Sequence, residues 1–182
     1  PTFSFLAGVS AFLLVQKKSR TELSSFLVKR GAWLILIEMT IVNFGWYFDI
    51  YFRSPGLLVI WCLGISMIIL AALIHLSRKA ILLVSLIIIA GHNLLDTVHF
   101  NGSVLWSILH EFAFFKITEG VEFAVIYPLI PWIAVMSLGY YFGAFYVQTI
   151  EAEKRKRLFN IIGVLALIAF AILRYTNLYG DP

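Results

Sequence analysis

Long apolar blocks make up most of this 182-residue chain, and they limit what it can fold into. A helix needs roughly 20 apolar residues to cross about 30 Å of hydrocarbon. Backbone groups cannot stay unpaired in lipid, so each block is predicted to be helical. We therefore predict an all-α fold, a polytopic membrane helix bundle with about six transmembrane helices, in a single transmembrane domain over residues 1–182. The blocks cover residues 1–15, 26–48, 57–76, 80–95, 128–147 and 158–173.

The composition argues against a water-soluble domain. Only 13% of the residues are charged and 61% are hydrophobic, whereas soluble domains carry about 25% charged residues. The net charge of +4 does not indicate a nucleic-acid partner, because the basic residues form short clusters between apolar blocks. Such clusters are typical of the cytoplasmic loops of membrane proteins.

Six spans would divide the basic residues very unevenly between the two sides of the membrane. The positive-inside rule puts the richer side in the cytoplasm. Loops 17–30, 77–79 and 148–157 are therefore predicted to be cytoplasmic, and loops 49–56 and 96–127 extracytoplasmic. The cytoplasmic set is Lys17, Lys18, Arg20, Lys29, Arg30, Arg78, Lys79, Lys154, Arg155, Lys156 and Arg157, and the opposite set is Arg53, Lys116 and Arg174.

Most acidic residues and histidines fall on the extracytoplasmic side. This side includes the longest connection, 96–127, where SVLWSILHEFAFF is predicted to form a short helix along the interface. A connection of this length is usually functional. The residues concerned are Asp49, Asp96, Glu111, Glu119, Glu122, Asp181, His92, His99 and His110.

The string GHNLLDTVH ends the fourth block. His92 and Asp96 are four residues apart and share a helix face, which His99 joins if the helix continues. A carboxylate beside an imidazole fixes its tautomer and raises its basicity, so the pair is a candidate catalytic base. A polar helix end that binds headgroups and water is the alternative. The spacing also suits a metal ion, but no compact ligand set stands out and we predict none.

Two further polar groups are candidates. Glu38 lies midway through the second block, with Asn43 five residues later. An ionisable group at that depth marks a functional site by default, and we predict that both residues form a polar lining. The alternative is a hydrogen-bonded Glu that joins helices. The string HEFAFFKITEGVEF could bind a polar acceptor or could be a solvated loop.

Local patterns predict packing and helix ends. Gly139 and Gly143 form a G-x-x-x-G motif that lets another helix approach closely. Thr21 is predicted to cap the second helix. Pro128 and Pro131 are predicted to open the fifth helix, where a missing N–H costs least.

Several strings are more specific than their composition. PTFSFLAGVSAFL, FLVKRGAWLILIEMTIVNFGW, GHNLLD, YPLIPWIAVMSLGYYFG and LRYTNLYGDP occur in this order. Together they resemble bacterial members of the heparan-α-glucosaminide N-acetyltransferase-like membrane family, over nearly the whole chain. The resemblance implies a multi-pass acyltransferase of the bacterial inner membrane, with acetyl-CoA or another acyl-CoA as donor and an extracytoplasmic sugar or glycan as acceptor.

The resemblance also implies what this chain does not contain. The catalytic histidine of the family belongs to a segment before PTFSFLAG, so it has no matching position here. We expect the chain to be a piece of a longer protein at both ends. Lys29 and Arg30 are predicted to bind the donor phosphates, with His92 and Asp96 on the acceptor side. The rival functions are a small-molecule transporter or flippase and a non-enzymatic membrane subunit that packs through the G-x-x-x-G face. A homodimer is a further expectation.

Overall fold

The computed structural model describes residues 2–100, 102–147, 151–177 and 179, and the prediction for Asp181 lies outside them. The protein is mostly helical, as predicted. The second predicted block is one continuous helical rod, in which α2 passes through a π-helical turn at Glu38–Val42 into α3. The helices are α1 (Thr2–Val15), α2 (Arg20–Ile37), α3 (Asn43–Tyr47), α4 (Val59–Leu73), α5 (Arg78–Gly91), α6 (Val104–Leu109), α7 (Ile130–Gly143) and α8 (Ala152–Thr176).

The start of α2 differs by two residues from the prediction. The cap is Ser19, not Thr21: the N–H of Glu22 donates to Ser19 Oγ at 3.3 Å, and the Ser19 N–H donates to the Glu22 carboxylate at 2.8 Å. This reciprocal pair satisfies two N–H groups that the first helical turn would otherwise leave open. Thr21 lies inside the helix. The prediction for α7 is confirmed at Pro131, which occupies its first turn.

Glycine allows two helix pairs to touch through their backbones. A Cβ atom at Gly139 would collide with the carbonyl oxygen of Phe5, and one at Gly143 would collide with the Phe12 side chain. The prediction that these glycines serve packing is therefore confirmed, and the partner is α1. Gly31 and Gly64 play the same part between α2 and α4, since a Cβ at either would collide with the carbonyl oxygen of the other.

The bundle has two chemically distinct ends. The turns after α1 and after α4 lie at one of them, where Ser24 Oγ donates to the carbonyl oxygen of Ala71 at 2.8 Å. The Arg78 guanidinium also lies 5.5 Å from the Phe12 ring and 5.4 Å from the Tyr141 ring. We call this the basic end, because residues 16–20 and 78–79 supply five cations there. The opposite end, where α5 finishes, is the histidine end.

A small sheet at the histidine end corrects the all-α prediction. β1 (Gly56–Leu57) pairs in parallel with β3 (Val121–Val125), which pairs antiparallel with β2 (Ala113–Thr118). Only the first part of the predicted interfacial helix forms, as α6. Strand β2 begins where that helix was predicted to continue. Aromatic and β-branched residues, which favour strands, are frequent in β2 and β3. Gly120 takes the positive φ of 78° that their turn requires.

Asp49 holds the loop that leads into this sheet. Its carboxylate accepts hydrogen bonds from the N–H of Tyr51 at 2.9 Å and from the N–H and Nε of Arg53, both at 3.0 Å. These donors, first among them the Arg53 side chain, lower the pKa of Asp49 to about 2. Arg53, one of the three cations predicted at this end, is therefore paired.

In the part of the chain that the structure describes, two helical stretches are long and apolar enough to cross a membrane. They are Arg78–Leu95, with 18 residues, and Ala152–Thr176, with 25. Helices α1 and α4 are apolar but only 14 and 15 residues long, less than a span requires. The number of spans beyond these two stays a prediction.

Helix α8 runs along the outside of the bundle from one end to the other. Near its start, the Phe159 ring lies 5.2 Å from that of Tyr146, which follows α7. Beyond its last turn, the Tyr179 ring lies 5.3 Å from His92 at the histidine end. No described side chain of α8 is buried.

We expect Gly139→Ala to destabilise the protein, because the added methyl group meets the α1 backbone and not a side chain that can move. Overpacking of this kind costs about 1–3 kcal/mol. Thermal unfolding of the detergent-solubilised protein should show a lower Tm. The matched control is Gly163→Ala in α8, where a Cβ would meet nothing within 4 Å. Equal Tm values for the two variants would contradict the glycine contact.

Candidate functional site

A polar cleft opens at the histidine end. It lies between the segment that follows α5, the segment that follows α6 and the residues just before α7. Its volume is about 610 Å³. The single 3-10 turn His92–Leu95 that follows α5 directs Asp96 toward it. The cleft, which we call the histidine cleft, is lined by Asp96, His99, His110, Glu111, Phe112, Ile126 and Pro128.

His99 and Glu111 form the first of two imidazole–carboxylate pairs in this cleft. His99 Nδ1 lies 2.7 Å from Glu111 Oε1. The pKa of Glu111 is lowered, chiefly because His99 hydrogen bonds to its carboxylate. An ionised carboxylate on Nδ1 fixes the imidazole with its proton on that atom, which leaves Nε2 with the lone pair. The His99 side chain is 65% exposed, so Nε2 is within reach of a molecule in the cleft.

His110 and Asp96 form the second pair, with a different geometry. His110 Nε2 lies 2.9 Å from Asp96 Oδ1, and Asn93 Nδ2 donates to Asp96 Oδ2 at 3.0 Å. The His110 side chain is only 5% exposed, and its other ring nitrogen is buried. The exposed member is Asp96, so this pair presents an oriented carboxylate to the cleft. Among the described residues, no three His, Cys, Asp or Glu side chains are grouped to hold a metal ion.

The structure does not join His92 to Asp96 as the helical spacing predicts. His92 Nδ1 lies 2.9 Å from the carbonyl oxygen of Ile89 and 3.1 Å from the hydroxyl of Tyr179. The predicted pairing is wrong because the helix tightens into a 3-10 turn after Gly91 and does not continue as α-helix. Asp96 is instead paired with the imidazole of His110, and His99 is paired with the carboxylate of Glu111.

Glu38 joins two helices. It is fully buried, and its Oε2 accepts hydrogen bonds from the N–H groups of Ile60 at 2.9 Å and Trp61 at 3.1 Å. Both donors lie in the first turn of α4, where N–H groups have no partner within the helix and the dipole favours an anion. Of the two roles left open by the sequence, these contacts favour helix joining over the substrate or proton site of a transporter.

Asn43 fastens the far end of the same rod to the sheet. Its Nδ2 donates to the carbonyl oxygens of Glu38 at 2.6 Å and Gly56 at 3.1 Å, and its Oδ1 accepts from the N–H of Gly56 at 2.6 Å. Gly56 is then paired with Ala124 of β3. Both side chains of the predicted polar lining are therefore engaged by backbone groups, and Asn43 indirectly positions one wall of the histidine cleft.

Arg30 borders a second cavity, on the side of the bundle formed by α1, α2 and α4. The volume of this cavity is about 310 Å³, and the Arg30 guanidinium lies 6.0 Å from the Phe26 ring. Lys18 approaches the same ring at 5.8 Å. Lys29 is exposed and does not line the cavity. The cavity, which we call the arginine cavity, is lined by Ala7, Ser10, Ala11, Leu14, Phe26, Leu27, Arg30 and Met67.

The pair His99–Glu111 is the part of the site that the sequence did not predict as a unit. Its members are 12 residues apart and are brought together by the reversal before α6. The sequence signal for this reversal is the Asn-Gly pair in the string FNGS, because Asn-Gly marks a turn. Gly102 has a positive φ of 77°. A turn there separates His99 from the helix face of His92 and brings it near the residues after α6.

The described residues form an apolar helix bundle with two histidine–carboxylate pairs at one end. The chain belongs to the family described as heparan-alpha-glucosaminide N-acetyltransferase, catalytic, whose model matches residues 1–176. The resemblance seen in the sequence is therefore confirmed. No curated protein and no solved structure matches the chain.

We expect His99→Ala to raise the pKa of Glu111 toward its ordinary value of 4.5. The reason is that a hydrogen bond to the ionised form favours that form. The pairing is present at neutral pH and is lost as the pH falls through the lowered pKa. Carbon-13 NMR of the labelled Glu111 carboxyl group measures the shift. His92→Ala is the control, and an equal change in both variants would argue against the pair.

Proposed function

We propose that the protein transfers an acetyl group from an acyl-CoA bound toward the basic end to a sugar or glycan bound in the histidine cleft. In this proposal the basic end faces the cytoplasm of a bacterial inner membrane and the cleft faces outward. The observation that carries the proposal is the His99–Glu111 pair, which offers a basic nitrogen to the cleft. Membership of an acetyltransferase family supports the reaction class.

His99 would act as the base on the acceptor side. The acceptor nitrogen or oxygen attacks the carbonyl carbon of the thioester, a bond forms there, and the carbon–sulfur bond breaks. The nucleophile loses a proton in this step, and His99 Nε2 takes it while Glu111 stabilises the resulting imidazolium. The CoA sulfur leaves as a thiolate and is protonated.

Asp96 would orient the acceptor. Its carboxylate is fixed from two sides by His110 and Asn93, so it presents an acceptor of hydrogen bonds in one defined direction. Sugar hydroxyl and amino groups are donors that such a carboxylate binds, and a charge-assisted hydrogen bond is stronger than a neutral one. His92, the other base predicted from the sequence, has its Nδ1 engaged outside the cleft.

Arg30 would bind a phosphate of the donor. A guanidinium presents a fork of donors that matches phosphate geometry, and the adjoining arginine cavity offers apolar surface for the part of the donor next to its phosphates. In this proposal the thioester end of the donor extends from there to the histidine cleft. Lys29, which the sequence also predicts here, is the weaker candidate because it does not line the cavity.

We expect His99→Gln to lower kcat for acetyl transfer by about 10²- to 10⁴-fold, the contribution of a general base. The measurement uses the full-length protein in sealed vesicles, radiolabelled acetyl-CoA on the side of the basic end and glucosamine on the other. A base also gives the rate a pH dependence that the variant loses.

The matched control is His75→Gln, an exposed histidine at the basic end, which should keep the wild-type rate. A larger loss in His92→Gln than in His99→Gln would contradict the assignment of the base. Glucosamine uptake without acetylation would contradict the transferase and favour the transporter.

We expect Arg30→Ala to raise KM for acetyl-CoA by about 10- to 100-fold with little change in kcat. The lost interaction is a hydrogen bond between charged groups, worth about 1.5–3 kcal/mol, and it is made equally in the ground and transition states. Initial rates at varied acetyl-CoA concentration measure it. Lys29→Ala is the neighbouring control; a larger rise in KM there than in Arg30→Ala would place the donor elsewhere.

A further inference from the structure

An apolar groove adjoins the histidine cleft. It lies between α5 and α7, has a volume of about 360 Å³ and exposes almost no polar surface. Beside Gly91 the space is open, since a Cβ atom there would meet nothing within 4 Å. The groove, which we call the apolar groove, is lined by Ile87, Ile88, Gly91, His92, Leu95, Ile130 and Ile133.

The groove and the cleft share both of their walls. On one wall Leu95 lines the groove and the next residue, Asp96, lines the cleft. On the other wall Ile130 lines the groove and Pro128, two residues earlier, lines the cleft. The surface therefore changes from charged to apolar between Asp96 and Leu95, and on the other wall the two cavities are two residues apart, so a single molecule can contact both.

The groove extends along the membrane-spanning stretch from the cleft toward the middle of α5. From Leu95 to Ile87 it covers eight residues, or roughly 12 Å at 1.5 Å per residue. The Ile87 side chain is 61% exposed, so the groove is open along its outer side. In the orientation proposed above, the end of the Arg78–Leu95 stretch lies in the outer lipid leaflet, and the groove lies at the same level.

We propose that the acceptor is a lipid-anchored sugar, which places its sugar in the histidine cleft and the first part of its hydrocarbon chain in the apolar groove. This inference rests on the proposed function and narrows its acceptor class. A free sugar has no hydrocarbon chain to place in the groove, whereas a sugar anchored in the bilayer by its chain is held beside the cleft with that chain at the level of the groove. His92 lies where the two surfaces meet.

Photolabelling tests this placement directly. The probe is an octyl glucosaminide with a diazirine at the end of its octyl chain, added to the full-length protein in phosphatidylcholine vesicles. We expect labelling to concentrate on residues 87–95 and 130–133 and to fall with excess unlabelled octyl glucosaminide. An octyl diazirine without the sugar reports ordinary lipid contact and should label α8 as strongly as α5.

The variant Ile87→Trp fills the groove from its exposed side, where a larger side chain can be accommodated without refolding the core. We expect it to reduce labelling by the sugar-bearing probe at least tenfold. The control is Leu86→Trp, the adjacent residue, which is 48% exposed and does not line the groove. Equal labelling in the two variants overturns the proposal, as does a sugar-bearing probe that labels no more selectively than the sugar-free one.

Transfer kinetics separate this inference from the proposed function. We expect kcat/KM to be at least tenfold higher for octyl glucosaminide than for glucosamine, and Ile87→Trp to remove most of that preference. If both acceptors are acetylated with equal kcat/KM, the proposed transferase function stands and the proposal of a lipid-anchored acceptor is wrong. If unlabelled octyl glucosaminide competes with labelling of the groove but no acetyl transfer occurs, the lipid-anchored ligand stands and the proposed transferase function is wrong. If the groove is not labelled because another part of the full-length protein fills it, the proposal is wrong.

Discussion

Close backbone contact between helices is the constraint on which the rest of this structure depends. At Gly8 and Gly139 the backbones of α1 and α7 touch, and at Gly31 and Gly64 those of α2 and α4 do so. Without a hydrophobic driving force between helices in lipid, such contacts and interhelical hydrogen bonds are what hold a bundle together. Because α7 also packs against α4 and α5, its position fixes where the second walls of the histidine cleft and the apolar groove lie.

Two buried polar side chains of this bundle bind backbone groups, whereas the histidine–carboxylate pairs lie at the histidine end. Glu38 and Asn43 satisfy N–H and carbonyl groups at a helix start and a strand edge. Such groups are costly to leave unpaired, so these contacts account for Asn43 and for one carboxylate oxygen of Glu38. The other oxygen, Oε1, is buried without a hydrogen-bond partner among the described residues. At the histidine end, His99, Glu111 and Asp96 are accessible and line one cleft.

The sequence predicted the helices and the two chemically distinct ends because apolar blocks and charge clusters act over whole segments. It predicted Gly139 correctly because small-residue spacing is a local property. It failed where a few residues decide the path: the 3-10 turn after Gly91 moved Asp96 away from His92, and the β2–β3 hairpin replaced part of an expected helix. Contacts between His99 and Glu111 depend on the reversal at Gly102, and helical spacing cannot supply such a contact.

The rod formed by α2, its π-helical turn and α3 is continuous over 28 residues, or roughly 40 Å. Arg30 is part of it, and Asn43 ties its far end to Gly56 and, through β1, to β3. Any displacement of the hairpin on filling the cleft therefore acts on the same rigid body that carries the guanidinium at the arginine cavity. One continuous helical element therefore connects the strand beside the histidine cleft to the residue that borders the arginine cavity.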